Sequence, residues 1–114
     1  MSYMGEPRDS IPPGTLDMLI LKTLVRSGQL HGFEIAEAIR HSSAEVFLVE
    51  EGSLYPALQR MLMKNWISGE WGRTDENRRA RYYRITAVGR RQLEAEMEAY
   101  RRVARAIEGV LFST

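Results

Sequence analysis

A helix followed at once by a β-hairpin is the feature that most constrains what this chain can fold into. Ser53 is a good helix-capping residue, and Pro56 then falls in the first turn, where backbone N–H groups have no partner within the helix. Two aromatic-rich segments, 66–71 and 81–85, come directly after this helix and are predicted to pair as strands around a polar tip, 72–79. The middle of the chain therefore predicts a helix with a β-ribbon attached to its end.

Two further helices are predicted before this unit. Thr15 is expected to cap the first, in which apolar residues recur on most faces until Gly28 ends it, so this helix is predicted at the centre of the domain. Residues 33–40 have the pattern of a half-exposed second helix. The apolar run within 45–50 fits either an extended segment or a buried link. Three helices followed by a hairpin are the order of a winged helix-turn-helix.

A long helix is predicted to follow Thr86, which can cap it. Its apolar residues follow spacings of 4, 3, 4, 3 and 4, which is the alternation of a coiled-coil seam. They are Leu93, Met97, Tyr100, Ala104, Ile107 and Leu111. Such a helix either folds back on its own domain or pairs with a second copy of the chain. We favour pairing, because the seam is too narrow and too regular for a helix that simply covers a sheet.

The expected fold class is mainly α with a small β-hairpin wing, a winged helix-turn-helix with a long C-terminal dimerisation helix. With 114 residues the chain has room for one hydrophobic core. Residues 1–14, rich in proline and glycine, are predicted to form an N-terminal arm. Residues 15–86 then form the winged helix-turn-helix, and residues 87–114 form the dimerisation helix.

Composition excludes several classes of protein. The chain is 44% hydrophobic and 27% charged, as folded globular proteins are. It holds no apolar run of the ~18 residues that a membrane span requires, so a cytoplasmic protein without a membrane partner is expected. With no cysteine and two histidines, neither a metal site nor another cofactor is expected. An enzyme is disfavoured because no nucleophile–base motif and no phosphate-binding glycine loop is found.

Positive charge is concentrated in the second half of the chain. Residues 1–63 carry 5 basic and 8 acidic side chains, whereas residues 64–114 carry 11 basic and 7 acidic ones. Five arginines lie within 73–84 against only Asp75 and Glu76. This excess fits either a solvated charged loop or a surface that faces a phosphate backbone.

Three motifs in this order resemble those of the PadR-like transcription regulators. Leu-His-Gly-Phe-Glu-Ile at 30–35 resembles the family's entry to its second helix, with phenylalanine in place of the more usual tyrosine. Glu-Gly-Ser-Leu-Tyr-Pro-Ala-Leu at 51–58 is similar to its recognition-helix signature. Arg-Tyr-Tyr-Arg-Ile-Thr at 81–86, with Gly89 and Leu93 after it, resembles the second wing strand and the opening of the last helix.

The resemblance covers residues 13–112 and matches the family's short form, in which one helix follows the wing. It implies a bacterial protein, a homodimer and, most often, a repressor on a palindromic DNA operator. Each third helix would enter a major groove, and each wing would contact the backbone or an adjacent minor groove. The wing contacts would come from four arginines, which position the protein without reading sequence. They are Arg73, Arg78, Arg79 and Arg81.

The outer face of the third helix supplies the candidate groove contacts. They are Gly52, Ser53, Tyr55, Pro56, Gln59 and Arg60. Gln59 can pair bidentately with adenine and Arg60 with guanine, each pair being worth ~1–3 kcal/mol of base discrimination. Tyr55 either reaches phosphate, as Ser53 does, or packs against the first helix. The opposite face is expected to pack in the core.

Two other hypotheses about the function of such a fold stay open. A winged helix can bind a protein partner through this surface, which would leave DNA binding weak and insensitive to sequence. A repressor can also respond to a small-molecule effector held near the dimer interface. For His31, before the second helix, a structural role is favoured over a sensor or ligand. Trp66 and Trp71 are expected to anchor the wing in the core.

Overall fold

The computed structural model describes residues 10–113 and confirms a mainly helical fold with a small antiparallel sheet. The helices are α1 (Leu16–Ser27), α2 (Gly32–Ser42), α3 (Glu51–Met63) and α4 (Ala87–Leu111). The strands are β1 (Leu30–His31), β2 (Ile67–Arg73) and β3 (Arg79–Ile85). The sequence analysis did not predict β1, which pairs with β3 and makes the sheet three-stranded in the order β1-β3-β2.

Helix α1 lies at the centre of the domain, as predicted. Ile20, Leu21 and Leu24 are fully buried, and α1 packs against α2, α3, α4 and β3. Burying a side chain of this size stabilises the fold by roughly 1.5–3 kcal/mol. The other fully buried large side chains come from α2, α3 and β2. They are Ile35, Leu54, Leu58, Met61 and Ile67.

Helix α3 begins earlier than its sequence predicts. Its N-cap is Glu50 and not Ser53, because the Glu50 carbonyl already accepts the backbone N–H groups of Ser53 and Leu54. Glu51 in the first turn also complements the helix dipole. Pro56 consequently lies in the second turn, where it leaves the carbonyl of Gly52 without its usual helical donor.

The link between α2 and α3 is half-buried. The sequence left open whether residues 45–50 form an extended segment or a buried link. The chain leaves α2 through Ala44 and Glu45, both in the left-handed region with φ of 52° and 67°. Phe47 and Val49 then turn towards the core, whereas Leu48 between them is exposed. The segment carries the chain to α3 with alternate side chains inside.

The hairpin has a shorter tip than predicted. Residues 67–73 and 79–85 pair in register, with Arg73 opposite Arg79, so residues 72, 73 and 79 belong to the strands. Thr74 closes the tip through bonds of its backbone N–H to the carbonyl of Arg78, at 2.8 Å, and of its carbonyl to the N–H of Asn77. Asn77 adopts a left-handed φ of 63°, which asparagine tolerates. The ribbon is therefore ordered almost to its end.

The start of α4 is fastened to the end of α3. Thr86 caps the helix, as predicted, by accepting the backbone N–H of Gly89, and its hydroxyl donates to the carbonyl of Asn65 at 2.6 Å. A Cβ at Gly89 would overlap the carbonyl oxygen of Trp66. Glycine is therefore required where the helix meets this backbone.

The predicted N-terminal arm lies mostly outside the described residues. Over residues 10–14 the chain has no regular structure, and Ile11 packs against the core. Within the described part of the chain, no helix combines the length and the apolar character that crossing a membrane requires.

Candidate nucleic-acid interface

Helix α3 presents one buried and one exposed side. The buried side consists of Leu54, Ala57, Leu58 and Met61, and Leu62 is half-buried. All six of the predicted groove-contacting residues are exposed on the helix. They are Gly52, Ser53, Tyr55, Pro56, Gln59 and Arg60. The core thus holds α3 along its length and leaves these six residues in solvent.

Tyr55 packs against the start of α2. A Cβ at Gly32 would lie 2.6 Å from the Tyr55 hydroxyl oxygen, so the ring lies directly over the glycine backbone. His31 caps α2 at the same place, where its Nδ1 accepts the N–H of Glu34 and the Glu34 carboxylate accepts the N–H of His31. Two separate sequence motifs therefore meet, and Tyr55 stays 42% exposed above the contact.

Arg60 forms an ion pair that the sequence does not reveal. Its Nη2 donates to the Asp17 carboxylate of α1 at 2.6 Å, and the Asp17 side chain is 17% exposed whereas that of Arg60 is 49% exposed. Asp17 therefore holds one end of the guanidinium and leaves its other donors accessible. The side chain of Gln59, one residue before it, is exposed and forms no hydrogen bond with the described residues 10–113.

The four predicted wing arginines have different surroundings. Arg73 donates to the carbonyl of Asn77 at 3.1 Å and thereby closes the tip. Arg79 lies over the ring of Trp71, and Arg81 lies beside it. Arg78 is exposed in the tip. With Arg84 on the opposite side of β3, the ribbon and its tip carry five guanidinium groups.

The two tryptophans differ, and the expectation that both anchor the wing is wrong for one of them. Trp66 packs against the core, with the Lys64 ammonium 4.7 Å from its ring centre. Trp71 is 58% exposed because it lies further along the ribbon, beyond the helices. At the wing root, burial raises the pKa of the Tyr83 phenol.

The predicted seam of α4 divides into two parts. Leu93 is buried in the core of its own protomer, and Met97 packs against that core. The following part projects apolar side chains into solvent over the last turns. They are Tyr100, Val103, Ile107, Val110, Leu111 and Phe112, with Ala104 half-exposed among them. An exposed apolar face of this extent is typical of an interaction site.

A cavity of about 250 Å³ lies between α1 and α2. Leu19, Ile39 and Phe47 supply apolar walls, and Lys22 and Arg26 bring two cations to it. None of its lining residues belongs to α4, so it does not coincide with the predicted seam.

Comparison with known proteins is consistent across sequence and structure. The family model described as the transcriptional regulator PadR-like family matches residues 20–95. A transcriptional regulator from Clostridium thermocellum is 29% identical with a TM-score of 0.77, and the match covers 89% of this chain and 95% of that one. A PadR family transcription regulator from Clostridium difficile is 30% identical with a TM-score of 0.73, over 86% of this chain and 99% of that one. A PadR-like transcriptional regulator from Bacillus cereus is 27% identical with a TM-score of 0.74, over 89% of this chain and 95% of that one.

Proposed function

Because the chain belongs to the PadR-like family of transcriptional regulators, we propose that it represses transcription as a homodimer bound to a palindromic operator. Membership of the family makes it a DNA-binding regulator and not an enzyme. The homodimer, the symmetry of the operator, the repression and the individual contacts are the proposal. The observation that carries the proposal is the exposed polar side of α3, with a basic ribbon directly after it.

The proposed docking places α3 in the major groove. Gln59 reads an adenine and Arg60 a guanine, because their planar amide and guanidinium groups match the two acceptor or donor positions of those base edges. Ser53 and Tyr55 lie nearer the start of the helix and reach backbone phosphates. Gly52 and Pro56 carry no long side chain, which lets this part of α3 approach the groove closely.

The wing contributes affinity without sequence preference. Four of its arginines, Arg73, Arg78, Arg79 and Arg81, face phosphates beside the groove that α3 enters, and each neutralised phosphate releases condensed counterions. Binding is therefore expected to weaken steeply as salt concentration rises.

The exposed apolar face of α4 supports the homodimer. Pairing two copies of the chain through the face that includes Tyr100, Ile107 and Leu111 removes these side chains from water. Two-fold symmetry then places two α3 helices about one helical turn apart on the same side of a duplex, which requires a palindromic site. A dimer on such a site excludes other proteins from it, and repression is the simplest consequence.

The cavity between α1 and α2 favours one addition to this function, a small-molecule effector. Its walls combine apolar surface with Lys22 and Arg26, and α2 leads through a short link to α3. A ligand held there would change how firmly α3 is supported. Binding of an effector would appear as a change in DNA affinity without a change in the preferred sequence.

Selection of bound sequences from a random duplex pool tests the proposal. At near-physiological salt we expect a palindromic consensus and a complex that contains two protein chains per duplex. A folded protein that enriches no sequence and binds DNA only weakly would instead support the hypothesis that this winged helix binds a protein partner.

A further inference from the structure

Trp71 is a large exposed aromatic side chain with no role in the function described so far. It lies on β2, on the same side of the sheet as Ile67 and Tyr83, whose side chains are buried against the helices. Trp71 lies further along the ribbon, beyond the helices, and 58% of it is exposed. Trp71 therefore lies on the helix-facing side of the sheet, at a position where that side is exposed to solvent.

Two arginines surround this ring. The guanidinium carbon of Arg79 is 4.2 Å from the ring centre, and that of Arg81, which pairs directly with Trp71 across the ribbon, is 5.8 Å away. Both distances lie within the range of cation–π attraction. Neither arginine forms an ion pair with any residue between 10 and 113. The aromatic face holds them while their charges stay uncompensated.

The sheet itself fixes the stem of Arg81. A Cβ at Gly69 would lie 2.7 Å from its Nε, so the arginine lies across the glycine backbone. This Nε is buried and has no hydrogen-bond partner among the described residues. Only the two terminal amino groups of Arg81 are then free to reach a ligand.

The other arginines of the ribbon are held differently. Arg73 is bonded to the tip carbonyl of Asn77, and Arg84 lies on the opposite side of the sheet, where it donates to Gln29. Arg79 and Arg81 are therefore distinguished by the aromatic ring that both of them share.

We propose that Trp71 is a positioning residue for DNA binding, which holds Arg79 and Arg81 in place for contact with backbone phosphates beside the groove occupied by α3. This inference rests on the proposed function. A free arginine side chain loses rotamer freedom when it binds, and stacking on Trp71 removes part of that loss beforehand. Phosphate is the expected ligand because a guanidinium binds its oxygens in the plane of the group, which leaves the stacked face undisturbed.

The test is the salt dependence of binding to a labelled mixed-sequence duplex of about 30 base pairs, long enough for two half-sites. Arg79→Ala is expected to lower the slope of log K against log salt by about 0.9 per wing. Trp71→Ala is expected to weaken binding about five-fold or more, since a cation–π contact accounts for roughly two- to five-fold in each wing of a dimer. Trp71→Phe keeps an aromatic face and should stay close to the wild type.

The matched control is Arg84→Ala, which removes the same charge from the other side of the same strand. This variant should leave the slope of log K against log salt nearly unchanged. Trp71→Ala should lower the affinity for the duplex much less in an Arg79→Ala background than in the wild type. The reason is that one of the arginines positioned by Trp71 is already absent in that background. A purely structural role of Trp71 would give equal losses in both backgrounds and would overturn the proposal.

Fluorescence gives an independent readout. In a Trp66→Phe background Trp71 is the sole tryptophan, and its emission should change when the duplex binds. If the wild type binds no duplex, the proposed function fails. The role of Trp71 alone fails under two conditions that hold together while the wild type binds with a steep salt dependence. Trp71→Ala binds the duplex as tightly as the wild type, and the emission of Trp71 in the Trp66→Phe background is unchanged when the duplex binds.

Discussion

Gly32 and Gly89 each lie near the start of a helix, where another part of the chain comes too close for a side chain. A Cβ at Gly32 would meet the ring of Tyr55, and one at Gly89 would meet the backbone carbonyl of Trp66. A tyrosine ring can move aside, whereas a carbonyl in the turn after α3 cannot. The two glycines are therefore required for the same reason but to different degrees.

Substituting these glycines should destabilise the fold unequally. Gly32→Ala is expected to lower the free energy of unfolding by about 1–3 kcal/mol, the usual cost of overpacking, as the Tyr55 ring is displaced. Gly89→Ala should cost more, because α4 would have to shift as a whole. Urea denaturation measures both values.

The control is Gly52→Ala, since a Cβ built there meets no atom within 4 Å apart from its chain neighbours and the backbone of its own helix. Within a helix, alanine is more stable than glycine by roughly 0.5–1 kcal/mol, so this variant should gain stability. Equal losses for Gly32→Ala and Gly52→Ala would show that the packing of Tyr55 has no energetic weight.

Asp17 is expected to orient Arg60 in the DNA complex. Asp17→Asn removes the carboxylate that holds one end of the guanidinium, so discrimination at the base that Arg60 contacts should fall, by up to ~1–3 kcal/mol. Overall affinity should stay the same or rise, because a negative charge near the DNA is lost. A comparison of affinities for duplexes that differ at this base pair measures the effect.

Asp75→Asn is the matched control for that experiment, because it removes the same charge at the wing tip, far from Arg60 along the ribbon. It should leave base discrimination unchanged. If both variants change affinity and neither changes discrimination, Asp17 does not orient Arg60 for base contact.

At the scale of the elements, sequence predicted which segments are helical or extended better than where each begins. Thr86 caps α4 as predicted, whereas Thr15 directly precedes α1 but forms no cap, because its hydroxyl donates to the carbonyl of Pro12 and accepts no backbone N–H of the helix. Ser53 was misleading, since the Glu50 carbonyl starts α3 three residues earlier. Strand β1 has two residues and no alternation of its own; only its pairing with β3 makes it a strand.

The two parts of α4 have separate tasks. Leu93 and Met97 fasten the helix to its own domain, and the residues from Tyr100 onwards present an apolar face to solvent. A regular seam in the sequence cannot show this division, because both parts repeat with the same period. A disruptive substitution at Met97 would therefore damage the fold as well as any dimer.

Ile107→Asp provides the cleaner test of dimerisation. Ile107 is 53% exposed in the single chain, so a charge there should leave the domain folded but should be strongly unfavourable in an apolar interface. We expect a monomer by light scattering, with the circular dichroism of the wild type. The control is Arg102→Asp, which lies opposite the seam and should stay dimeric. A dimer that persists in Ile107→Asp would rule out this face.

At the scale of the whole molecule, sequence predicted which side of α3 is exposed but not the contacts that shape that surface. The exposed residues of α3 follow from helical periodicity, which separates Gln59 from Leu58 on the helix. The Arg60–Asp17 pair and the cover of Gly32 by Tyr55 join residues far apart in the chain, and no local pattern records them. Trp71 was misassigned because an aromatic residue in a strand is usually packed, and its exposure depends on where the helices end.

The central claim is that two α3 helices read a symmetric operator through Gln59. The base preference of Gln59→Ala at each position of the selected consensus, compared with that of the wild type, tests it most directly. We expect that base preference is lost at one position, which appears twice, once in each half-site, while the rest of the consensus is retained. A uniform loss of affinity at all positions, or an unchanged consensus, would contradict it.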